Sequence, residues 1–170
     1  MTQLKRIGIS NVKERDENDL WVSVEKLTML QSLDLMASNE DEILPVKAQC
    51  PPLLHFQKLH LIGRLQCKTG FVKMERLELL NFASVKKITI EKGVMPNLRY
   101  LLVYNFMELK TVPLGLECLS NIQYLGLAFV PVEVIQPIWK GGEDRSKVQH
   151  IHEIIHVFKQ SSKWVHENLA

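Results

Sequence analysis

The apolar residues of this chain recur in a short motif of three positions, in which two residues separate the first from the second and one separates the second from the third. The motif occurs six times, and its middle residues are Ile7, Leu33, Leu59, Leu77, Leu101 and Leu125, at intervals of 26, 26, 18, 24 and 24 residues. Side chains alternate between the two faces of a strand, so the second and third apolar residues point to the same side. The motif therefore predicts strands near residues 4–10, 30–36, 56–62, 74–80, 98–104 and 122–128.

Repetition of this motif every 20–29 residues or so is typical of a leucine-rich repeat. One unit cannot bury its own leucines, whereas stacked units form a continuous core and a parallel sheet. The pattern predicts an α/β fold: a leucine-rich-repeat solenoid, shaped as a horseshoe arc, with a parallel β-sheet of about six strands on its concave face and an irregular convex side. Residues 1–138 would form the solenoid and residues 139–170 a C-terminal capping tail.

The segments between the predicted strands carry weaker signals. Apolar spacing predicts a short helix around Val24–Leu30 and an extended piece at Val85–Ile90 on the convex side. The charged segment 11–19 and the stretch 37–52 are the least regular parts, and the second is expected to be a solvated loop. The tail segment Val148–Phe158 is expected to add a final strand or helix.

One interval breaks the pattern. Only 18 residues separate Leu59 from Leu77, which is below the usual length of such a repeat. Either this unit is unusually tight, or sequence has been lost between Gln66 and Cys67. We favour the loss of sequence.

The residues that flank the inward-facing pair of each strand should project from the concave face of the sheet. Tyrosine gives rigid contact area with a polar tip and is enriched at interfaces, and all three tyrosines fall in the last two strands. The alternative is that these side chains only form cross-strand packing pairs on a solvated sheet. The candidate protein-binding face consists of Arg6, Asp34, Lys58, His60, Arg76, Glu78, Tyr100, Leu102, Tyr104 and Tyr124.

Composition narrows the class of protein. The chain has 170 residues, about one domain in length, with 46% hydrophobic and 24% charged residues, as in ordinary folded proteins. Its formal net charge of +2 is too small to indicate a nucleic-acid or membrane partner. The first ten residues lack the apolar run of a secretory signal, and no run approaches the 20 or so apolar residues that span a bilayer. We expect a soluble cytoplasmic protein.

The cysteines indicate a reducing compartment. Cys50, Cys67 and Cys118 are far apart and odd in number, so they form neither a C-x-x-C pair nor a disulfide framework. Cys118 falls at an apolar position of a repeat and is expected to be a small core residue.

Candidate chemistry is sparse. His152 and His156 would share one face of a helix, the arrangement that zinc sites use, and His150 lies nearby. No cysteine or acidic partner is placed with them, so ordinary surface and partly packed histidines are the favoured interpretation. The chain has no G-x-S-x-G motif and no paired Cys/His nucleophile motif. We expect that it is not an enzyme.

Three stretches carry a family resemblance: Ile90–Leu98 (IEKGVMPNL), Leu109–Leu119 (LKTVPLGLECL) and Gly142–Ile151 (GEDRSKVQHI). Together with the repeats, they resemble the C-terminal leucine-rich-repeat region of plant disease-resistance proteins that combine a coiled coil, an NB-ARC nucleotide-binding domain and leucine-rich repeats. The resemblance covers essentially the whole chain. It implies a recognition module of an intracellular immune receptor that senses a pathogen effector or a guarded host protein, and that restrains the NB-ARC domain.

The chain departs from these receptors in one respect. It has no G-x-x-x-x-G-K-[ST] phosphate-binding motif, so no cofactor is expected here, and ADP or ATP would belong to the missing NB-ARC domain. The resemblance therefore implies a truncated receptor whose partners are proteins, with no nucleic acid and no membrane span. An alternative is a stand-alone leucine-rich-repeat scaffold, or the substrate-receptor arm of a ubiquitin ligase. That arm would need an F-box-like adaptor, and none fits before Leu4.

Overall fold

The computed structural model describes residues 4–37, 43–46, 57–62, 64–67, 73–82, 85–90 and 92–170. The strands in these residues are β1 Arg6–Val12, β2 Ser32–Ala37, β3 Ile43–Val46, β4 Lys58–Ile62, β5 Arg64–Cys67, β6 Arg76–Leu80, β7 Tyr100–Tyr104, β8 Tyr124–Ala128, β9 Glu153–Gln160 and β10 Lys163–Asn168. The α-helices are α1 Glu17–Glu25, α2 Val132–Ile135 and α3 Arg145–Val148, and short 3-10 helices occupy Glu14–Asp16, Leu116–Cys118 and Gln136–Ile138.

A single mostly parallel sheet dominates the described part of the chain, which confirms the α/β class. It has eight strands in the order β1-β2-β4-β6-β7-β8-β9-β10. The first seven run parallel, and β10 returns antiparallel to β9. Strands β3 and β5 form a separate parallel pair. Each of the six strands expected from the motif begins two residues later than its predicted range.

The leucine motif determines the register. The middle residues of the six motifs lie side by side across the sheet, from Ile7 opposite Leu33 through to Leu101 opposite Leu125. The five leucines among them are at most 2% exposed. Burying one leucine completely stabilises a fold by roughly 1.5–3 kcal/mol, so this row is a major contribution to the core.

A residue in the left-handed conformation follows each of three consecutive strands. Asn81, Asn105 and Phe129 have φ of 60°, 60° and 53°, and each donates its amide to a backbone carbonyl of the next strand at 2.9, 2.9 and 3.0 Å. The side-chain amide of Asn105 also donates to that of Asn81 at 3.0 Å. Asparagine adopts this conformation readily, whereas for a bulky residue such as phenylalanine it is strained.

The other side of the core is closed by extended backbone. Leu114 donates its amide to the carbonyl of Ile88 at 2.9 Å, and Ile90 donates its amide to the carbonyl of Leu114 at 2.8 Å. Gly115 follows with φ of 89°, and a Cβ there would lie 1.9 Å from the carbonyl oxygen of Ile90. The segment predicted to be extended, Val85–Ile90, thus contacts the next unit through its backbone, and only glycine fits at the crossing.

The prediction of about six strands in the sheet was too low. The tail predicted for residues 139–170 contributes β9 and β10 to the same sheet, and Ile154 lies opposite Leu125. The motif continues as Ile151-x-x-Ile154-x-His156, but its third position is a histidine and was not recognised. His156 is 6% exposed, and it stands where the other motifs carry isoleucine, leucine or valine. The division of the chain at residue 138 stays a prediction.

The helix in the second unit lies earlier than predicted. It spans Glu17–Glu25 rather than the region around Val24–Leu30, because Trp21 and Val24 are the residues it buries. The irregular segment predicted at 11–19 was therefore wrong, since the last residues of β1, a 3-10 helix and the start of α1 occupy it.

Two other expectations also need correction. Part of the loop predicted at 37–52 is the strand Ile43–Val46, and residues 38–42 and 47–52 lie outside the described residues. Cys118 was expected in the core, but it is exposed, because the neighbouring Leu116 and Leu119 fill the apolar interior instead.

The short unit is accommodated in the sheet. Strands β4 and β6 are hydrogen-bonded neighbours, with Leu59 opposite Leu77, and β5 lies between them in the chain. A unit of this length is therefore compatible with the common register. Loss of sequence between Gln66 and Cys67 stays a prediction.

Candidate protein-binding face

The residues that flank the buried leucines lie together on one face of the sheet, which we call the open sheet face. Its first row, read across neighbouring strands, is Arg6, Ser32, Lys58, Arg76, Tyr100, Tyr124 and Glu153. Its second row is Gly8, Asp34, His60, Glu78, Leu102, Gly126 and Ile155. The parallel register thus places nine of the ten predicted residues in these two rows, and Tyr104 lies in the third.

Two ion pairs neutralise basic residues of this face. Arg6 donates from Nε and Nη2 to Oδ2 of Asp34, at 3.2 and 2.9 Å. Arg76 donates from Nε to Oε1 of Glu78 at 2.6 Å. Exposed pairs of this kind stabilise a fold by about 0–1 kcal/mol. Lys58 is exposed, on the strand between the two pairs.

Arg76, Tyr100 and Tyr124 form a continuous stack, which we call the Arg–Tyr–Tyr stack. The guanidinium carbon of Arg76 lies 3.5 Å from the ring centroid of Tyr100. The rings of Tyr100 and Tyr124 are 4.4 Å apart at their centroids and 1° from parallel. Neighbouring strands are about 4.8 Å apart, so the first row of the face delivers one group of the stack from each strand.

Gly126 makes room for the stack. A Cβ at this position would lie 2.9 Å from Cε1 of Tyr124 and 2.8 Å from Cδ1 of Leu102. The ring of Tyr124 therefore lies close over the backbone of its own strand, and Leu102, half-buried, packs beside it. Any larger residue at 126 would displace one of these side chains.

The phenol of Tyr124 stays protonated at neutral pH. Burial raises its pKa above the ordinary 10.0, and the nearby Tyr100 and the charge of Glu153 raise it further, while Arg76 lowers it. A neutral phenol offers a partner both a hydrogen-bond donor and an acceptor.

Tyr104 belongs to a second cluster, which we call the aromatic corner. Its ring lies 5.2 Å from that of Phe129 at 74°, and Phe129 lies 5.1 Å from Trp164 at 84°. The ammonium of Lys159 is 5.9 Å from the ring centroid of Trp164. Trp164 is 59% exposed. The three tyrosines that the sequence grouped together are thus divided, with two in the stack and one in the corner.

Several residues of the open sheet face were missed. They come from β9, which begins in the segment expected to add a final strand or helix, and from β10, which was not predicted. Glu153 lies opposite Tyr124, and Trp164 lies opposite Lys159 in the antiparallel pair. The spacing Ile151-x-x-Ile154-x-His156 was the signal that could have found them. The residues that β9 and β10 add to the open sheet face are Glu153, Ile155, Val157, Lys159, Trp164 and His166.

The histidines do not form the helical pair considered from sequence. His156 is buried in β9, and His152 is exposed just before that strand. Nδ1 of His156 lies 3.6 Å from Oε2 of Glu167, beyond ordinary hydrogen-bond length. Burial lowers the pKa of His156 below 6.5, and Glu167 offsets this only in part. The described residues contain no group of three or more His, Cys, Asp or Glu side chains that could hold a metal ion.

The comparisons with known proteins agree on one kind of relative. Disease resistance protein RPM1 of Arabidopsis thaliana is 35% identical over 188 residues, which cover 94% of this chain and 20% of that protein. Disease resistance proteins RPH8A and RPP8 of the same plant are 32% and 29% identical, each over 68% of this chain and 13% of their own length. The chain is homologous to plant disease resistance proteins.

This disease-resistance homologue spans about a fifth or less of the length of these curated relatives. No family model matches it, and no solved structure matches it. No helix in the described part of the chain is long and apolar enough to cross a membrane.

Proposed function

We propose that this disease-resistance homologue is the leucine-rich-repeat recognition module of an intracellular plant immune receptor. The observation that carries the proposal is the common register of the repeated motif, which aligns the side chains that flank the buried leucines, most of them half-buried, on one sheet face. Stacked repeats of this kind build extended concave binding surfaces. Homology to disease resistance proteins supports the immune role.

The open sheet face would bind a protein, either a pathogen effector or a guarded host protein. Trp, Tyr and Arg dominate the energetics of interfaces, and the Arg–Tyr–Tyr stack and aromatic corner supply all three. Cross-strand packing alone accounts for the stack. It does not account for Trp164, which is mostly exposed, or for the strained backbone of Phe129, and such strain tends to cluster at functional sites.

The proposal includes the organisation of the parent receptor. By resemblance, a coiled coil and an NB-ARC domain would accompany the module, the NB-ARC domain would bind ADP or ATP, and the module would restrain it until recognition. We propose that the module itself acts in the cytoplasm, without a cofactor and without enzymatic activity. The relatives are disease resistance proteins, so a ubiquitin-ligase arm is the less supported alternative.

A longer ancestral repeat array is part of the same proposal. The alignment with RPM1 runs over 188 residues, although the chain has 170. The aligned stretch covers 94% of this chain, or about 160 residues, so about 28 of its positions have no counterpart here. A chain shorter than the aligned stretch of its relative is what a loss of sequence would produce, and we favour its location between Gln66 and Cys67.

The test is a binary interaction screen of the chain against effectors and the host proteins that effectors modify. Any partner found is then measured against the triple variant Tyr100→Ala, Tyr104→Ala, Tyr124→Ala. An interface tyrosine contributes about 2 kcal/mol or more when it is a hot spot, so loss of even one such contact lowers affinity at least about 30-fold.

The matched control replaces exposed apolar residues outside the sheet, in the variant Met107→Ala, Val132→Ala, Trp139→Ala. It should bind the partner as the unmodified chain does. Equal binding by the tyrosine variant would exclude the three tyrosines as recognition residues.

A further inference from the structure

The Arg–Tyr–Tyr stack ends at Tyr124, with no further ring or cation from the described residues. Arg76 covers one face of Tyr100, and Tyr124 covers the other. Because the two rings are parallel and Tyr100 comes from β7, the outer face of Tyr124 is directed toward β9. Within the part of the chain that the structure describes, neither a ring nor a cation stacks on that outer face.

A carboxylate stands next to this last ring of the stack. Glu153 is the register partner of Tyr124 on β9, and it is exposed. Its charge is close enough to raise the pKa of the Tyr124 phenol. Two other acids of the open sheet face, Asp34 and Glu78, each pair with an arginine, whereas no ion pair joins Glu153 to a described side chain.

No cation in the described part of the chain forms an ion pair with this carboxylate. Lys159 is the basic residue on the same strand, but it lies six residues further along β9, about 20 Å at the usual rise of a strand. Its ammonium lies near Trp164 instead. Glu153 therefore places a carboxylate, with no ion pair to a described side chain, beside an aromatic ring on whose outer face no described ring or cation stacks.

The other end of the stack shows what such a pair of groups binds. There, one guanidinium lies flat on Tyr100 while its Nε donates to the carboxylate of Glu78 at 2.6 Å. A planar guanidinium suits both partners, since it stacks on aromatic rings and donates in its own plane to carboxylates. The groups at the Tyr124 end are the same two: a tyrosine ring and a glutamate.

We propose that Tyr124 and Glu153 form a binding site for an arginine side chain of a protein partner. The incoming guanidinium would stack on the outer face of Tyr124, donate to Glu153 and extend the stack to Arg–Tyr–Tyr–Arg. This proposal rests on the proposed function, because it specifies the chemistry of the partner that the open sheet face recognises.

The test is an NMR titration of the full chain with Nα-acetyl-arginine amide and, separately, with Nα-acetyl-citrulline amide, a neutral molecule of nearly the same shape. The arginine derivative should shift the backbone amides of Gly126 and Glu153 and the ring signals of Tyr124. A cation on an exposed ring beside a carboxylate should bind at least about threefold more tightly than its neutral counterpart.

Three variants locate the site. Glu153→Gln and Tyr124→Leu should each lower the affinity for the arginine derivative about threefold or more, whereas Tyr124→Phe keeps the ring and should bind normally. The matched control is Glu133→Gln, which removes an exposed acid on α2 and should change nothing. Each variant's amide spectrum reports whether it is folded.

Equal shifts with arginine and citrulline would overturn the proposal, and so would shifts that survive in Glu153→Gln. Equal affinity for Nα-acetyl-lysine amide would overturn the preference for guanidinium. The proposed function is tested separately: if the triple tyrosine variant loses its partner while the arginine derivative does not bind, this inference fails and the recognition role stands.

Discussion

Replacement of Gly115 by alanine tests how tightly successive units are joined. The new Cβ would lie 1.9 Å from the carbonyl oxygen of Ile90 and 3.0 Å from its carbonyl carbon. Non-bonded carbon atoms are most stable at about 3.5–4.0 Å, so the collision exceeds what small adjustments absorb. The obstacle is backbone, which cannot rotate away as a side chain can.

The expected cost has two parts. A residue other than glycine at φ of 89° costs roughly 1–2 kcal/mol. Moving Ile90 away also weakens two hydrogen bonds, from Ile90 to Leu114 and from Leu114 to Ile88, each of which contributes about 0.5–1.5 kcal/mol. Gly115→Ala should therefore lower the free energy of unfolding by roughly 2–5 kcal/mol, a large share of the 5–15 kcal/mol or so of a typical domain.

Two other glycines distinguish the conformational cost of an alanine at positive φ from the cost of the collision with Ile90. Gly93 and Gly141 have φ of 82° and 88°, and a Cβ at either would meet nothing within 4 Å. Gly93→Ala and Gly141→Ala should show only the conformational cost, about 1–2 kcal/mol. The difference between Gly115→Ala and these controls then measures the contact between units.

Urea unfolding followed by the fluorescence of the natural tryptophans gives the free energy of unfolding and its dependence on urea. The slope should be unchanged, because all variants expose the same surface on unfolding. If Gly115→Ala is no less stable than the two control variants, the close backbone crossing at Ile90 does not limit this position and the reasoning is refuted.

Two further predictions concern the C-terminal strands. The pKa of His156 is lowered below 6.5 by burial, so below pH 6.5 the unfolded chain takes up a proton more readily than the folded one. The contribution of His156 to the free energy of unfolding is complete above pH 6.5 and is lost as the pH falls toward the lowered pKa. Urea titrations of the wild type at several pH values should show this loss. A His156→Met variant that loses the same free energy would contradict the prediction. Arg145 donates to the carbonyls of Ile138 and Leu169, so Arg145→Ala should lower the free energy of unfolding by about 1.5–3 kcal/mol. It should also speed hydrogen exchange at the amide of Leu169, which donates to the carbonyl of Ile154. Unchanged exchange would show that the hydrogen bonds of Arg145 do not hold the C-terminal end of the chain in place.

The candidate site was only partly visible in the sequence. Tyr100 and Tyr124 were placed on adjacent strands, in the same row of the sheet, because the motif spacing determines their register. Their mutual stacking depends on Gly126, which leaves space for the ring. Glu153 and Trp164 were missed, because the final strand or helix expected at Val148–Phe158 was not assigned to the binding face, and β10 was not predicted.

The exposure of Cys118 illustrates a second limit. Apolar spacing shows that some residues of a connecting segment face the core, but not which ones when the segment is irregular. Leu116 and Leu119 are buried on either side of Cys118. The short 3-10 helix Leu116–Cys118 turns the cysteine outward, and that local geometry depends on contacts between units.

The sequence by itself determined the six leading strands and their register, because side chains alternate along a strand and the motif states which pair must be buried. Only the tertiary structure decided where the sheet ends. His156 occupies a buried position that the earlier motifs fill with isoleucine, leucine or valine. Burial of a polar side chain carries a desolvation cost, so the motif alone does not place a histidine in the core, and only the assembled sheet shows that this one is buried. Strand β9 also carries Glu153, the acid beside Tyr124. The complete open sheet face therefore depends on how the C-terminal tail packs.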